Sequence, residues 1–248
     1  MNPTEIGVIS WEQQPPGFES YLQRAKKEVE KLKEQGVDLI LLPGNTGGEK
    51  NLPPEDWFSA HGELARNFNV FLVPGPVKNP SGKSISVIYD YSGKEIGKQV
   101  EVGSKNGGDI NIFPTELGNL ALSLGKDVYT PEYGRVLAGM GADILLAPLT
   151  DRKKLGGWRW ELSGLWREVQ QNQFWGVEAG CEARPGAVFA PCEATKDRTG
   201  ILKKGWGSIR ASLEERKREE AREIFPVGSQ LSHPTIENFL EKLSGGGQ

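Results

Sequence analysis

Cysteine is scarce in this chain of 248 residues: Cys181 and Cys192 are the whole complement, and they stand at no CxxC spacing. Nothing in that pattern signals a disulfide framework, and two thiols fit a reducing cytoplasm. Histidine is as sparse, with only His61 and His233. Neither has a second His or Cys at ligand spacing, so no metal site is expected, and no feature asks for a cofactor. No apolar run approaches the ~20 residues that a membrane-spanning helix needs, and the first residues lack the layout of a secretory signal. Net charge is only −3 and evenly spread, which argues against nucleic acid or an anionic membrane as partner. There is no internal repeat and no dividing linker. One domain is expected over 1–248, with 227–248 as a C-terminal tail.

What the chain does have is alternation. An apolar strand over 6–9 is followed by a helix over 18–35, where Leu22, Ala25, Val29 and Leu32 recur at helical spacing and Gly36 stops the run. A second strand over 37–42 completes a βαβ unit, which implies parallel pairing and a right-handed crossover. A helix over 54–67 and a strand over 70–73 repeat the theme. The pattern then changes to a hairpin, 84–91 with 95–102 around Ser92-Gly93, and a second antiparallel pair, 110–113 with 119–124. A helix over 131–140, a strand over 143–147 and a helix over 158–172 restore the alternation. Short strands are expected over 174–179, 186–190, 200–202 and 208–211. Ser212 is placed to cap a charged, solvated helix over 213–224, and a last short helix is expected over 234–243. Helices alternating with two groups of strands imply two sheets packed face to face with helices outside, a four-layer αββα sandwich.

Within that frame one strand sets up a nucleophile and delivers none. Gly118-Asn119-Leu120-Ala121-Leu122-Ser123-Leu124 leads to Gly125, and Lys126-Asp127-Val128-Tyr129-Thr130-Pro131-Glu132 follows. This stretch resembles the nitrilase (carbon–nitrogen hydrolase) superfamily, in which such a strand ends in a cysteine, then an aspartate, then a Pro-Glu that opens a helix. Further segments carry the resemblance, from Ile6 to about Pro226. The run 36–43 looks like the strand whose proline precedes a catalytic glutamate, and 92–98 looks like the turn leading to a catalytic lysine. The run 141–148 looks like the strand after the nucleophile helix, and 158–173 like the helix carrying Arg-Ala-x-Glu-Asn, of which only Arg167 survives.

The resemblance implies an α/β fold of the αββα nitrilase type. It also implies a Cys-Glu-Lys site for amides, nitriles or carbamoyl groups. The chemistry explains the choice: a thiolate attacks and forms a covalent acyl intermediate. A carboxylate moves the protons, and an ammonium stabilises the oxyanion. Carried onto this chain, the glutamate position is Gly44, the cysteine position Gly125 and the lysine position Glu101, with Lys98 and Lys105 nearby as shifted lysines. Two of the three roles therefore have no side chain, and the expected function is a catalytically inactive binding or regulatory subunit. The alternative is a C–N hydrolase with a non-standard set drawn from Glu101, Lys126, Asp127 or Cys181.

Residues expected around the emptied pocket are Asn45, Glu49, Lys126, Asp127, Glu132 and Cys181, with Asp127 read as a carboxylate capping the following turn. The reversed sign at Glu101 favours a small amine or amide as ligand. Against that stands a pocket filled by Glu101 pairing with Lys126 or Lys98. Trp158, Trp160, Trp166 and Trp175 fall within one helix and its exit, and they cannot all face a single core at ~3.6 residues per turn. By the resemblance this helix and the one opening at Pro131 form a dimer interface. Tyr133, Arg135, Trp158, Trp160 and Trp166 are its candidate residues, in a homodimer or a heteromer with a homologous subunit.

Overall fold

A strand that is apolar at every position must be buried on both faces. The computed structural model describes residues 3–44, 54–79, 81–103, 108–148, 164–180, 182 and 184–226, and in it the strands sort their side chains in that way. In β1 (Thr4–Ser10) Ile6 and Val8 enter one apolar cluster and Ile9 another. Leu39 and Leu41 of β2 (Leu39–Leu41) join the first and Ile40 the second. With β3 (Phe71–Val73) these strands are parallel. The sheet continues antiparallel through β5 (Ser84–Tyr89), which pairs β4 (Val77–Lys78) and β6 (Glu95–Val100).

The second sheet follows the same rule. Leu120 and Leu122 of β8 (Gly118–Leu122) and Ile144 and Leu146 of β9 (Ile144–Pro148) face inward, while Ala121, Leu145 and Ala147 face outward. Its strand order runs from β12 (Ile201–Gly205) through β11 (Gly186–Phe189), β10 (Trp175–Ala179), β9 and β8 to β7 (Phe113–Thr115). The chain returns to the first sheet through Gly207, at φ +76°, and β13 (Gly207–Leu213) pairs antiparallel with β1. The inward residues of both sheets form one shared cluster. Helices α1 (Gly17–Glu34) and α2 (Pro54–Phe68) cover the outside of the first sheet. Helices α3 (Pro131–Gly139) and α4 (Leu165–Asn172) cover the second. The architecture is the αββα sandwich that the alternation implies.

Several boundaries differ from the sequence expectation, each for a local reason. The hairpin's second strand stops at Val100: Glu101 still bonds Ser84 of β5 through its N–H and its carboxylate, but the Val102 N–H leaves the ladder for Asp127. The expected pair 110–113 with 119–124 is instead β7 with β8, closed where Thr115 Oγ1 accepts from Leu117 N (3.1 Å) and donates to Gly118 O (2.7 Å). Ser212 caps nothing. It extends β13 and donates to Glu5 Oε1 at 2.6 Å, and helix α5 (Glu215–Ile224) starts later. Nor is α5 merely solvated. Arg218 is buried and grips Asp143 at 2.5 Å, and Arg222 donates to the Gln173 and Ala142 carbonyls. Of the expected helix over 158–172, the described part is α4. Trp158, Trp160, Asn45, Glu49, Lys105, Cys181, His233 and the segment 227–248 lie outside the described residues. Among the described residues no helix is long and apolar enough to cross a membrane.

Under α1 and α2 lies an aromatic cluster of Trp11, Tyr21, Trp57 and His61, all fully buried. His61 Nδ1 lies 2.6 Å from the Trp57 carbonyl, which makes it the protonated nitrogen, and Nε2 has no partner among the described residues. Burial pushes the imidazole down to about 4, against the smaller opposing effect of the Trp57 bond. The unfolded chain, with a pKa near 6.5, therefore binds a proton that the folded chain refuses, and stability falls as pH drops through that window. Between about pH 7.5 and pH 5 the loss attributable to His61 is about 2 kcal/mol. Urea titrations across that range are expected to show this slope in the wild type and to lose it in His61→Gln; an unchanged slope contradicts the assignment.

Candidate functional site

Three backbone turns define the place where the resemblance puts a catalytic centre. Pro43-Gly44 leaves β2 and is held by Tyr21 Oη on the Pro43 carbonyl (2.9 Å) and Gln14 Nε2 on the Gly44 carbonyl (3.0 Å). It runs against Pro74-Gly75 so closely that a Cβ at Gly75 would fall 2.1 Å from Gly44 Cα. Trp57 Nε1 and Ser86 Oγ hold that second turn by its carbonyls. The third turn follows β8 and contains Gly125 at φ +56°, in the left-handed region that favours glycine.

Glu101 fills the third turn. A Cβ built on Gly125 would lie 2.2 Å from Glu101 Oε1, inside the carboxylate itself. That carboxylate is held from several sides. Ser84 Oγ donates to Oε2 at 2.8 Å, the Lys126 backbone N–H reaches Oε1 at 3.3 Å, and the Lys78 ammonium stands 3.6 Å from Oε2. Burial pushes the Glu101 carboxyl up. The Ser84 hydroxyl, the Lys126 amide and the Lys78 ammonium outweigh it and hold the group below the usual carboxylate range. Lys78 also donates to Ser84 Oγ at 2.8 Å, so amine, hydroxyl and carboxylate form one chain.

Among the described residues the cation that meets Glu101 is Lys78, not the side chain of Lys126 or Lys98. Lys126 contributes only its backbone and is exposed, and Lys98 lies over the Phe58 ring, 5.8 Å from its centroid. Asp127 is a structural carboxylate, but it does not cap the turn that follows. Its oxygens reach back to the N–H groups of Val102 (3.1 Å) and Gly103 (2.7 Å), pinning the segment that carries Glu101. Burial raises the Asp127 carboxyl, those amides oppose the rise, and the charge on Glu101 adds to it. The two neighbouring carboxylates thus have different duties: Glu101 is held by side chains and by the Lys126 amide, and Asp127 by backbone amides.

The remaining candidates scatter. Glu132 is exposed on the first turn of α3. Tyr133 is 3% exposed and donates to the Leu122 carbonyl, which makes it part of its own chain's core rather than of a surface. Arg135 lends its charge to Glu168, a fully buried carboxylate on α4 that also bonds Arg167 and accepts from Asn172 Nδ2 at 3.1 Å. Trp166 Nε1 donates to the Thr199 carbonyl at 2.8 Å. Cys192 sits in a short turn, its thiol pushed up by burial and by Glu193 and Asp197, which makes it a poor nucleophile. Sequence reasoning missed Lys78, Ser84 and Glu168. Nothing local marks the first two, whereas Glu168 between Leu165 and Val169 on the buried face of α4 was a readable sign. Among the described residues no group of three His, Cys, Asp or Glu side chains is placed to hold a metal.

No family model matches the chain. Among curated proteins it is similar to the "Probable hydrolase YhcX" of Bacillus subtilis (strain 168), at 25% identity over 172 residues, which is 60% of this chain. The matched stretch spans only 33% of that protein's length. Among solved structures it superimposes on Nit3 of Saccharomyces cerevisiae, a member of branch 10 of the nitrilase superfamily. The TM-score is 0.78 at 19% identity, covering 94% of this chain and 97% of that one. A carbon–nitrogen hydrolase from Helicobacter pylori G27 gives 0.76 at 17% identity, over 97% and 98% of the two chains. The fold is that of the nitrilase superfamily.

Proposed function

We propose that this single nitrilase-fold domain has given up thiol amidase chemistry and works by binding or association, as a pseudoenzyme or a silent subunit. The observation that supports this reading is the Glu101 carboxylate standing where a side chain at Gly125 would begin. No thiol or hydroxyl occupies that position, and no carboxylate occupies Gly44. Loss of the nucleophile alone in a triad hydrolase costs on the order of 10⁶ in turnover, or roughly 8 kcal/mol of barrier. What survives such a loss is mainly binding. The reversed sign favours a small amine or amide over an acyl carboxylate at this centre, and the two unpaired-spacing cysteines favour a cytoplasmic setting.

A second reading has one observation in its favour: the Ser84 hydroxyl lies 2.8 Å from both Lys78 Nζ and Glu101 Oε2. Hydroxyl, amine and acid in contact are the parts of a non-standard hydrolase. Three features weigh against it. Ser84 is 2% exposed, so a substrate carbonyl has no approach. Glu101 is held below the usual range and is correspondingly a weak base. Asp127 has its oxygens engaged by backbone amides.

For association, the supporting feature is on α3. Val136 on the helix and Met140 at its C-cap stand one turn apart, 43% and 49% exposed, and the helix packs against α4. We assign this face to a second copy of the chain, with a homologous subunit as the competing partner.

Two experiments test these proposals. Against a panel of short amides and nitriles the wild type is expected to show no turnover above buffer, and Ser84→Ala is expected to match it. Turnover that disappears in Ser84→Ala would overturn the proposal in favour of the second reading. Light scattering at micromolar concentration is expected to give a dimer that Val136→Glu with Met140→Glu converts to monomer. A monomeric wild type defeats the interface assignment.

A further inference from the structure

A cavity of about 400 Å³ opens where β1 ends, between helix α1 and the start of β13. Ser10 and Gly207, partners in the β1–β13 register, line it from the sheet. Trp206 adds an aromatic wall, and Arg24 of α1 and Glu12 bring one charge of each sign. These two charges do not pair. Among the described residues neither Arg24 nor Glu12 takes part in an ion pair. Even Glu28, one turn along α1 from Arg24, meets Ser208 Oγ of β13 instead. The guanidinium is nonetheless held in place. Its Nη1 donates to the Gln13 carbonyl at 3.1 Å, and its carbon lies 5.0 Å from the centroid of the Trp11 ring. Trp11 is fully buried and meets Tyr21 edge to face, so the cation rests on a fixed platform. A guanidinium is always charged and offers five donors in a planar fork. No carboxylate among the described residues engages the donors that the Gln13 bond leaves over.

We propose that this cavity binds a small zwitterion, a free α-amino acid with an apolar side chain. Its carboxylate takes the unused guanidinium donors in charge-assisted bonds. Its ammonium meets Glu12, and its side chain lies on Trp206. A simple carboxylate would meet Glu12 as well as Arg24, and a simple amine would meet Arg24 as well as Glu12. Each is opposed by the charge it does not match, and only a ligand bearing both signs suits both. Because Arg24 is already held, binding orders little more of that side chain. None of the lining residues belongs to the turns around Gly44, Glu101 and Gly125, so the site stands whether or not the amidase chemistry has been lost.

The test is calorimetric titration of the full chain with L-leucine and two derivatives. N-acetyl-L-leucine keeps the carboxylate and loses the ammonium, whereas L-leucinamide keeps the ammonium and loses the carboxylate. Leucine is expected to bind with a Kd below about 1 mM, and at least about tenfold more tightly than either derivative. Arg24 and Glu12 are exposed, so Arg24→Gln and Glu12→Gln are expected to fold, by circular dichroism. Each is expected to weaken leucine binding by about tenfold. Each also removes one repulsion: Glu12→Gln is expected to strengthen binding of N-acetyl-leucine, and Arg24→Gln that of leucinamide. A wild-type Kd for leucine above about 1 mM, leucine held no more tightly than its derivatives, or leucine affinity unchanged in either variant would overturn the proposal.

Discussion

Two groups cannot share one volume, and at the end of β8 the volume belongs to Glu101. Its carboxylate lies where the Cβ of any residue at position 125 would have to start. Much of the neighbourhood is arranged around that fact. Ser84 and the Lys126 amide hold the carboxylate, Lys78 comes across from β4 to balance its charge, and Asp127 pins the segment from which Glu101 projects. Gly125 completes the arrangement twice over, by leaving the space open and by accepting a left-handed φ. A charge that would otherwise be stranded in a half-buried turn is thereby paired and bonded.

The scaffold does not depend on that centre. Its stability comes from the cluster shared by the two sheets, in which Leu39, Leu41, Leu120, Leu122, Ile144 and Leu146 are almost wholly buried. Buried aliphatic side chains of this kind contribute ~1.5–3 kcal/mol each, before chain entropy is set against them. The outer layers add polar anchors away from the turns. Arg218 fastens α5 to Asp143, and Glu168 fastens α4 near Gly134, where an added Cβ would meet the Glu168 carboxylate. Gly44, Glu101 and Gly125 are not part of that shared cluster, so the fold does not rest on them.

The sandwich was legible in the sequence because burial on two faces leaves continuous apolar runs, and the runs read at 6–9, 37–42 and 143–147 contain β1, β2 and β9 or parts of them. The hairpin around Ser92-Gly93 was legible from turn chemistry, with Asp90 Oδ1 accepting from the Ser92 and Lys94 amides. Gly44 and Gly125 were legible as glycines at the ends of their strands. Glu101 filling the space at Gly125 was one of the sequence readings, but its partners Ser84 and Lys78 were not legible. Ser84 meets Glu101 across 17 residues and Asp127 meets Val102 across 25, and no local period encodes contacts between side chains brought together by two strand exits. Ser212 misled for the opposite reason. Its type suits a cap, but pairing of β13 with β1 decides its place and turns its hydroxyl to Glu5.

The most direct test of the account is a double-mutant cycle in denaturant stability between Gly125→Ala and Glu101→Ala. In the wild-type background the added methyl meets both the left-handed backbone and the carboxylate, so its cost is expected to exceed the ~1–2 kcal/mol of the backbone effect alone. With Glu101 shortened, only the backbone effect should remain, giving a coupling of about 1–3 kcal/mol between the two positions. Costs that simply add, within about 0.5 kcal/mol, would show that the carboxylate does not occupy the space at Gly125 and would contradict the account.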